Sequence, residues 1–101
     1  MQKQIDIAET IGKAADAARL RGELKTRQDD DLRTVMGTEQ GRRFIWDLLG
    51  DAGVYRTSFT GNSETFYLEG KRQIGLMILA RLTEVCPGEY LKMQTENING
   101  G

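Results

Sequence analysis

One stretch constrains this chain more than any other. It runs from Ser58 to Pro87 and carries a turn, a helix start, a long apolar run and a helix stop in that order. Thr60 to Asn62 supplies the turn, with Gly61 free to take positive φ. Asn62 or Ser63 can cap the first free backbone amides, and Glu64 places a negative charge at the positive end of the helix dipole. Apolar side chains then fall at Phe66, Tyr67, Ile74, Met77, Ile78, Leu82 and Val85, with small residues at Gly70 and Ala80. Spacings of three, four and seven predict a helical face rather than a strand. That face is the expected core side, with Lys71, Arg72, Arg81 and Glu84 largely off it. Pro87 disfavours helical geometry at Cys86 and Gly88 follows, so the helix should stop there.

The run Ile74 to Ala80 is apolar on nearly every side. Such a helix needs more than one neighbour to cover it. It is too short to cross a bilayer, which takes about 20 apolar residues. Gly70 and Gly75 lie inside it and cost roughly 1 kcal/mol each against Ala in an exposed helix. Either a neighbour packs close at each, or the helix bends there in a way that matters for assembly.

Around this helix the sequence predicts an all-α fold. The expected form is a small helical bundle of three to five helices, with a long central helix and an N-terminal helical arm. The arm takes residues 1–27, the helical core domain 28–94, and a flexible C-terminal tail 95–101. In the arm, Ile5, Ala8, Ile11, Ala15, Leu20 and Leu24 make a thin stripe, with possible breaks at Gly12 or Gly22. A stripe this narrow stabilises little packing, so the arm either docks on a partner or covers one side of the core. Asp29, Asp30 and Asp31 read as acids at the start of a further short helix, ended by Gly37. They lack the spacing and glycine of a calcium loop.

Thr38 caps the next helix, helped by Glu39. Phe44, Ile45, Leu48 and Leu49 form its two-wide apolar ridge, and Gly50 or Gly53 ends it. Trp46 lies off the ridge beside Arg42 and Arg43, either at the core edge or as an interface anchor. Val54 to Phe59 is an extended connection, and a short helix over 89–94 follows Pro87.

The composition narrows the chemistry. The 101 residues make one domain-sized chain, with a single Cys and no His. No intrachain disulfide is possible, and the usual general base and commonest metal ligand are both missing. Cys86 has no base to activate it. The Gly37–Gly41 segment lacks the Gly-Lys-Ser/Thr ending of a phosphate loop. Ser58 and Ser63 lack a partner base. The expectation is a non-enzyme, with no catalytic, cofactor-binding or metal-ligating residues and no cofactor. A net charge of −1, from 14 basic and 15 acidic residues, argues against non-specific nucleic-acid binding by the whole chain. A local patch remains open. Arg42, Arg43, Arg56, Lys71 and Arg72, with Trp46, are the candidate interface or phosphate contacts. The N-terminus has no apolar signal core, so neither secretion nor a membrane anchor is expected.

Residues 31–93 resemble a family of small structural proteins of short-tailed phages, first noticed in a Bordetella phage. The resemblance rests on Gly41-Arg42-Arg43-Phe44-Ile45-Trp46, on Ala52-Gly53-Val54-Tyr55, and on the run Ser58 to Phe66. It continues through Glu69-Gly70, Ile74-Gly75 and Cys86-Pro87 and leaves out the arm. Because the family is encoded among head and tail morphogenesis genes, the resemblance implies a virion protein assembled in the host cytoplasm. Multiple copies would pack on each other and on other virion proteins at the head–tail junction, tail or internal ejection apparatus. Two other readings stand beside it: a module that contacts genome DNA through its arginines, and a small host-directed regulator.

Overall fold

The computed structural model describes the backbone of residues 2–55, 61 and 64–100, and the side chains of these residues except 2–5 and 99–100. Four helices make up this part of the chain: α1 (Gln2–Met36), α2 (Glu39–Ala52), α3 (Glu64–Val85) and α4 (Pro87–Gly100). The chain divides into two compact units, Met1–Asp31 and Leu32–Gly101.

The first unit is the arm, a stretch of α1 about 45 Å long at 1.5 Å per residue. The expected interruption at Gly12 or Gly22 does not occur, and the three aspartates do not begin a new helix; α1 runs through all of them. No proline breaks the stretch, and Lys25 Nζ reaches Asp29 Oδ2 at 2.9 Å one turn on. Asp29 to Asp31 are therefore mid-helix residues. Ile7, Ile11, Leu20 and Leu24 are all exposed along the arm.

The second unit holds the core, made of Met36, Ile45, Leu49, Val54, Leu82, Cys86 and Met93. Met36, Leu49, Leu82 and Met93 are fully buried and come from α1, α2, α3 and α4 in turn. Leu32, Trp46, Leu79, Val85 and Tyr90 pack around them.

Local signals set the bounds of α2. Thr38 has extended backbone geometry, and its hydroxyl accepts from the Gly41 amide at 3.0 Å. At the other end Gly53 takes φ 78°, its amide donating to Gly50 O, while the Val54 amide donates to Leu49 O. That pair of bonds is a Schellman stop, and burial of both Leu49 and Val54 completes it. Gly61 also has positive φ, at 79°, as its place in the expected turn requires. Of the expected extended connection Val54 to Phe59, the described Val54 and Tyr55 form a turn, and the rest, with the caps at Asn62 or Ser63, lies outside the described residues.

Pro87 separates α3 from α4, and the Tyr90 amide donates to the Cys86 carbonyl to open the new helix. The last helix does not stop at Gln94. Residues 95–100, expected as a flexible tail, continue α4. Glu96 explains part of this extension, since its carboxylate is held by Arg42 of α2. Thr95 and Asn97 also donate to the carbonyls of Leu91 and Met93 one turn back.

Candidate interaction surface

On α2, Arg42, Ile45 and Leu49 follow one another at three and four residues and share the buried face. Arg42 is thus a core-facing residue, only 9% exposed, and not a surface cation. All three guanidinium nitrogens are engaged. Nε and Nη2 donate to the two carboxylate oxygens of Glu96, each at 2.8 Å, and Nη1 donates to the Met36 carbonyl at 2.9 Å. One side chain therefore ties α2 to the end of α1 and to α4. The hydrogen bond from Arg42 holds the Glu96 carboxyl below its ordinary carboxylate range, against an opposing push from burial. A neutral partner would lose the two-pronged geometry that makes such pairs strong.

Gly41 is what lets Arg42 reach this position. A Cβ there would collide with the carbonyl of Val35, and would touch Thr38 Oγ1 at 3.0 Å. The first turn of α2 lies against the last turn of α1 because residue 41 has no side chain.

The other candidates are dispersed. Arg43 is exposed and pairs loosely with Glu39, at 3.9 Å. Trp46 is half-buried against the core, with its ring 5.9 Å from that of Tyr55 and inclined at 33°. Lys71 lies half-buried with its ammonium 5.7 Å from the Tyr67 ring centroid. Arg72 is half-buried and 3.7 Å from Glu69, and its Nε has no hydrogen-bond partner among the described residues. Arg56 lies outside the described residues. The expected basic face loses its buried member, and the cations that remain described are engaged one by one.

Cys86 is buried where α3 meets α4. Burial first, then the charge of Glu89, pushes its thiol pKa up, so the thiolate is disfavoured.

What the fold leaves open is apolar. Gly75 is the point where α3 seats on the end of α2: a Cβ there would meet Val54 Cγ2 at 2.5 Å and Ala52 Cβ at 2.8 Å. Gly75 and Leu82 define the buried side of α3. This corrects the expected core face. Phe66, Tyr67, Ile74 and Met77 were to face inward by their spacing, yet they are 83%, 67%, 62% and 67% exposed. The physical reason is that α3 is apolar around most of its circumference, so spacing alone does not fix its rotation. Close approach at Gly75 does. Gly70 lies on the outer side, with no neighbour among the described residues within 4 Å of where a Cβ would stand. The same partition splits the α2 ridge, with Ile45 and Leu49 buried and Phe44 and Leu48 exposed. An open apolar groove of about 220 Å³ runs between the two helices, lined by Leu48, Ala52, Ile74, Gly75 and Ile78, with Asp51 and Lys71 at its polar edge.

Residues 32–95 match the family model described as Bbp19-like phage protein, which covers well over half of the chain. The chain belongs to that family. The match begins at Leu32, the first residue of the second compact unit. The arm lies outside the match. The Bbp19-like region includes both glycine contacts, Arg42 and the whole exposed face of α3, and Glu96 lies one residue beyond its end. No curated protein and no solved structure matches the chain. None of the described helices is long and apolar enough to cross a membrane.

Proposed function

We propose that this phage protein is a non-enzymatic virion component, assembled in multiple copies at the head–tail junction, tail or internal ejection apparatus. One observation carries the reading. A helix that is apolar nearly all round is normally covered on several sides, and α3, packed against α2 and α4, still leaves Phe66, Tyr67, Ile74 and Met77 open to solvent. Exposed apolar surface of this kind marks a contact with another macromolecule. Membership of a phage family supplies the setting, and a particle built of repeated subunits supplies partners. The arm fits the same picture, because its exposed Ile7, Ile11, Leu20 and Leu24 gain burial only from a neighbour.

The genome-contact reading draws less support. Arg42, the central residue of its basic face, spends its donors on Glu96 and Met36. Mass spectrometry of purified virions tests the proposal. The chain is expected among the particle proteins, and its absence from particles that package and infect normally would end the structural reading in favour of a host-directed regulator.

A further inference from the structure

We propose that the outer face of α3 is a two-fold interface on which the helix packs antiparallel against α3 of a second copy. The inference rests on the multi-copy reading above and names its contact.

Phe66, Gly70, Ile74, Met77 and Arg81 recur at spacings of four, four, three and four and share the side of α3 turned away from Gly75 and Leu82. All five are exposed. A two-fold contact requires a patch that complements itself, because residue i of one copy must suit residue j of the other and the reverse. This row does so about a point between residues 73 and 74. Antiparallel pairing there sets Gly70 opposite Met77 of the second copy, and Phe66 opposite Arg81 of the second copy. Ile74 then lies near its own counterpart.

Each pairing is chemically specific. Met77 is a long, linear side chain that needs a hole, and Gly70 is a hole in an otherwise filled row, with no described residue above it. Among the described residues no contact requires a glycine at 70, unlike 41 and 75. Phe66 is the most exposed of the large hydrophobic side chains described. Arg81 has no acidic partner among the described residues, which leaves its guanidinium available to an aromatic face. A foreign partner would need no such internal symmetry in this row; a second copy does. The groove lined by Leu48 and Ile74 adjoins the same face, so α2 extends the contact toward the about 800 Å² per partner of a standard interface. A closed antiparallel pair ends at two chains, so larger assemblies would take up the protein as dimers.

The geometry is tested with single cysteines in full-length protein carrying Cys86→Ala. Ile74→Cys is expected to cross-link to a covalent dimer with a short bismaleimide. Phe66→Cys is expected not to, because antiparallel packing holds the two copies of residue 66 roughly 22 Å apart, fifteen residues at 1.5 Å each. Equal cross-linking at 66 would mean parallel packing and would overturn the proposal. Sedimentation of variants made on the native sequence gives an independent arm. Met77→Glu and Gly70→Leu change exposed residues and should keep the helical circular dichroism of the parent while raising the dimer Kd at least tenfold. A parent that forms oligomers unaffected by both changes would refute the α3 interface and leave the multi-copy reading standing. A parent that stays monomeric at every concentration would also refute the interface, and virion composition would then be decided by particle mass spectrometry alone.

Discussion

Three glycines of the core unit offer one substitution in three environments. Replacing a helical Gly by Ala gains about 1 kcal/mol from backbone entropy when nothing else changes. Gly70 meets that condition, with no described residue near where its Cβ would be. At concentrations where the chain is monomeric, Gly70→Ala should therefore raise the Tm, by about 4–8 °C per kcal/mol for a unit of this size. At Gly75 the same gain is opposed by Val54 Cγ2 at 2.5 Å and Ala52 Cβ at 2.8 Å. Val54 is β-branched and buried, so it cannot swing aside freely. Overpacking of this sort costs about 1–3 kcal/mol, which leaves a net loss of about 1 kcal/mol at the midpoint. At Gly41 the obstacle is the carbonyl of Val35, which is backbone and moves only with α1. The capping hydroxyl of Thr38 is crowded as well, and a lost cap adds about 1 kcal/mol. Gly41→Ala should cost about 3 kcal/mol or more, a large share of the roughly 4–10 kcal/mol that a unit of some 70 residues has in total. Thermal and urea unfolding followed by circular dichroism read all three. The order expected is 70 above parent, 75 below, and 41 lowest. If Gly41→Ala or Gly75→Ala stabilises as Gly70→Ala does, the close seating of α2 on α1, or of α3 on α2, is wrong.

Other outcomes follow from the same structure. The Glu96 carboxyl has a folded-state pKa below its unfolded one, so its contribution is complete above the ordinary carboxylate range and is lost as pH falls through the depressed folded value. Glu96→Gln should flatten the acid limb of a Tm-against-pH profile; an unchanged limb would show that the pair with Arg42 does not control it. Thr38→Ala removes the acceptor for the Gly41 amide and should cost about 1 kcal/mol in urea unfolding. A change below a few tenths would mean that water caps the helix as well. Hydrogen exchange on monomeric protein should show arm amides from residues 6–31 exchanging far faster than those around Leu49, Leu82 and Met93, since the arm's large apolar side chains are exposed. Equal protection in both would contradict the exposure of the arm's apolar side chains.

How much of this was legible in the sequence depended on the range of the interaction. The ends of α2 were readable because Thr38 and Gly53 act on amides a few residues away. The stop of α3 before Cys86 was readable for the same reason, through Pro87. The rotation of α3 was not, because an arc of apolar residues that covers most of a helix leaves several faces equally plausible, and the deciding contact at Gly75 comes from Ala52 and Val54 across the bundle. The length of α4 escaped for a similar reason. Thr95 to Gly100 has weak helix propensity, and Glu96 finds its partner 54 residues earlier in the chain. Arg42 did carry a usable signal: it falls three and seven residues before Ile45 and Leu49, on the face they bury. Its charge drew it instead into a supposed surface patch. In the arm, three consecutive acids looked like a helix start, yet they are accommodated within a helix when Lys25 pairs with Asp29.

The most direct test of the central claim is to count this chain per purified phage particle by quantitative mass spectrometry. Several copies are expected in every particle, with six or twelve pointing to the tail axis and hundreds to the shell. A count of zero, or a trace amount that varies between preparations, would contradict it.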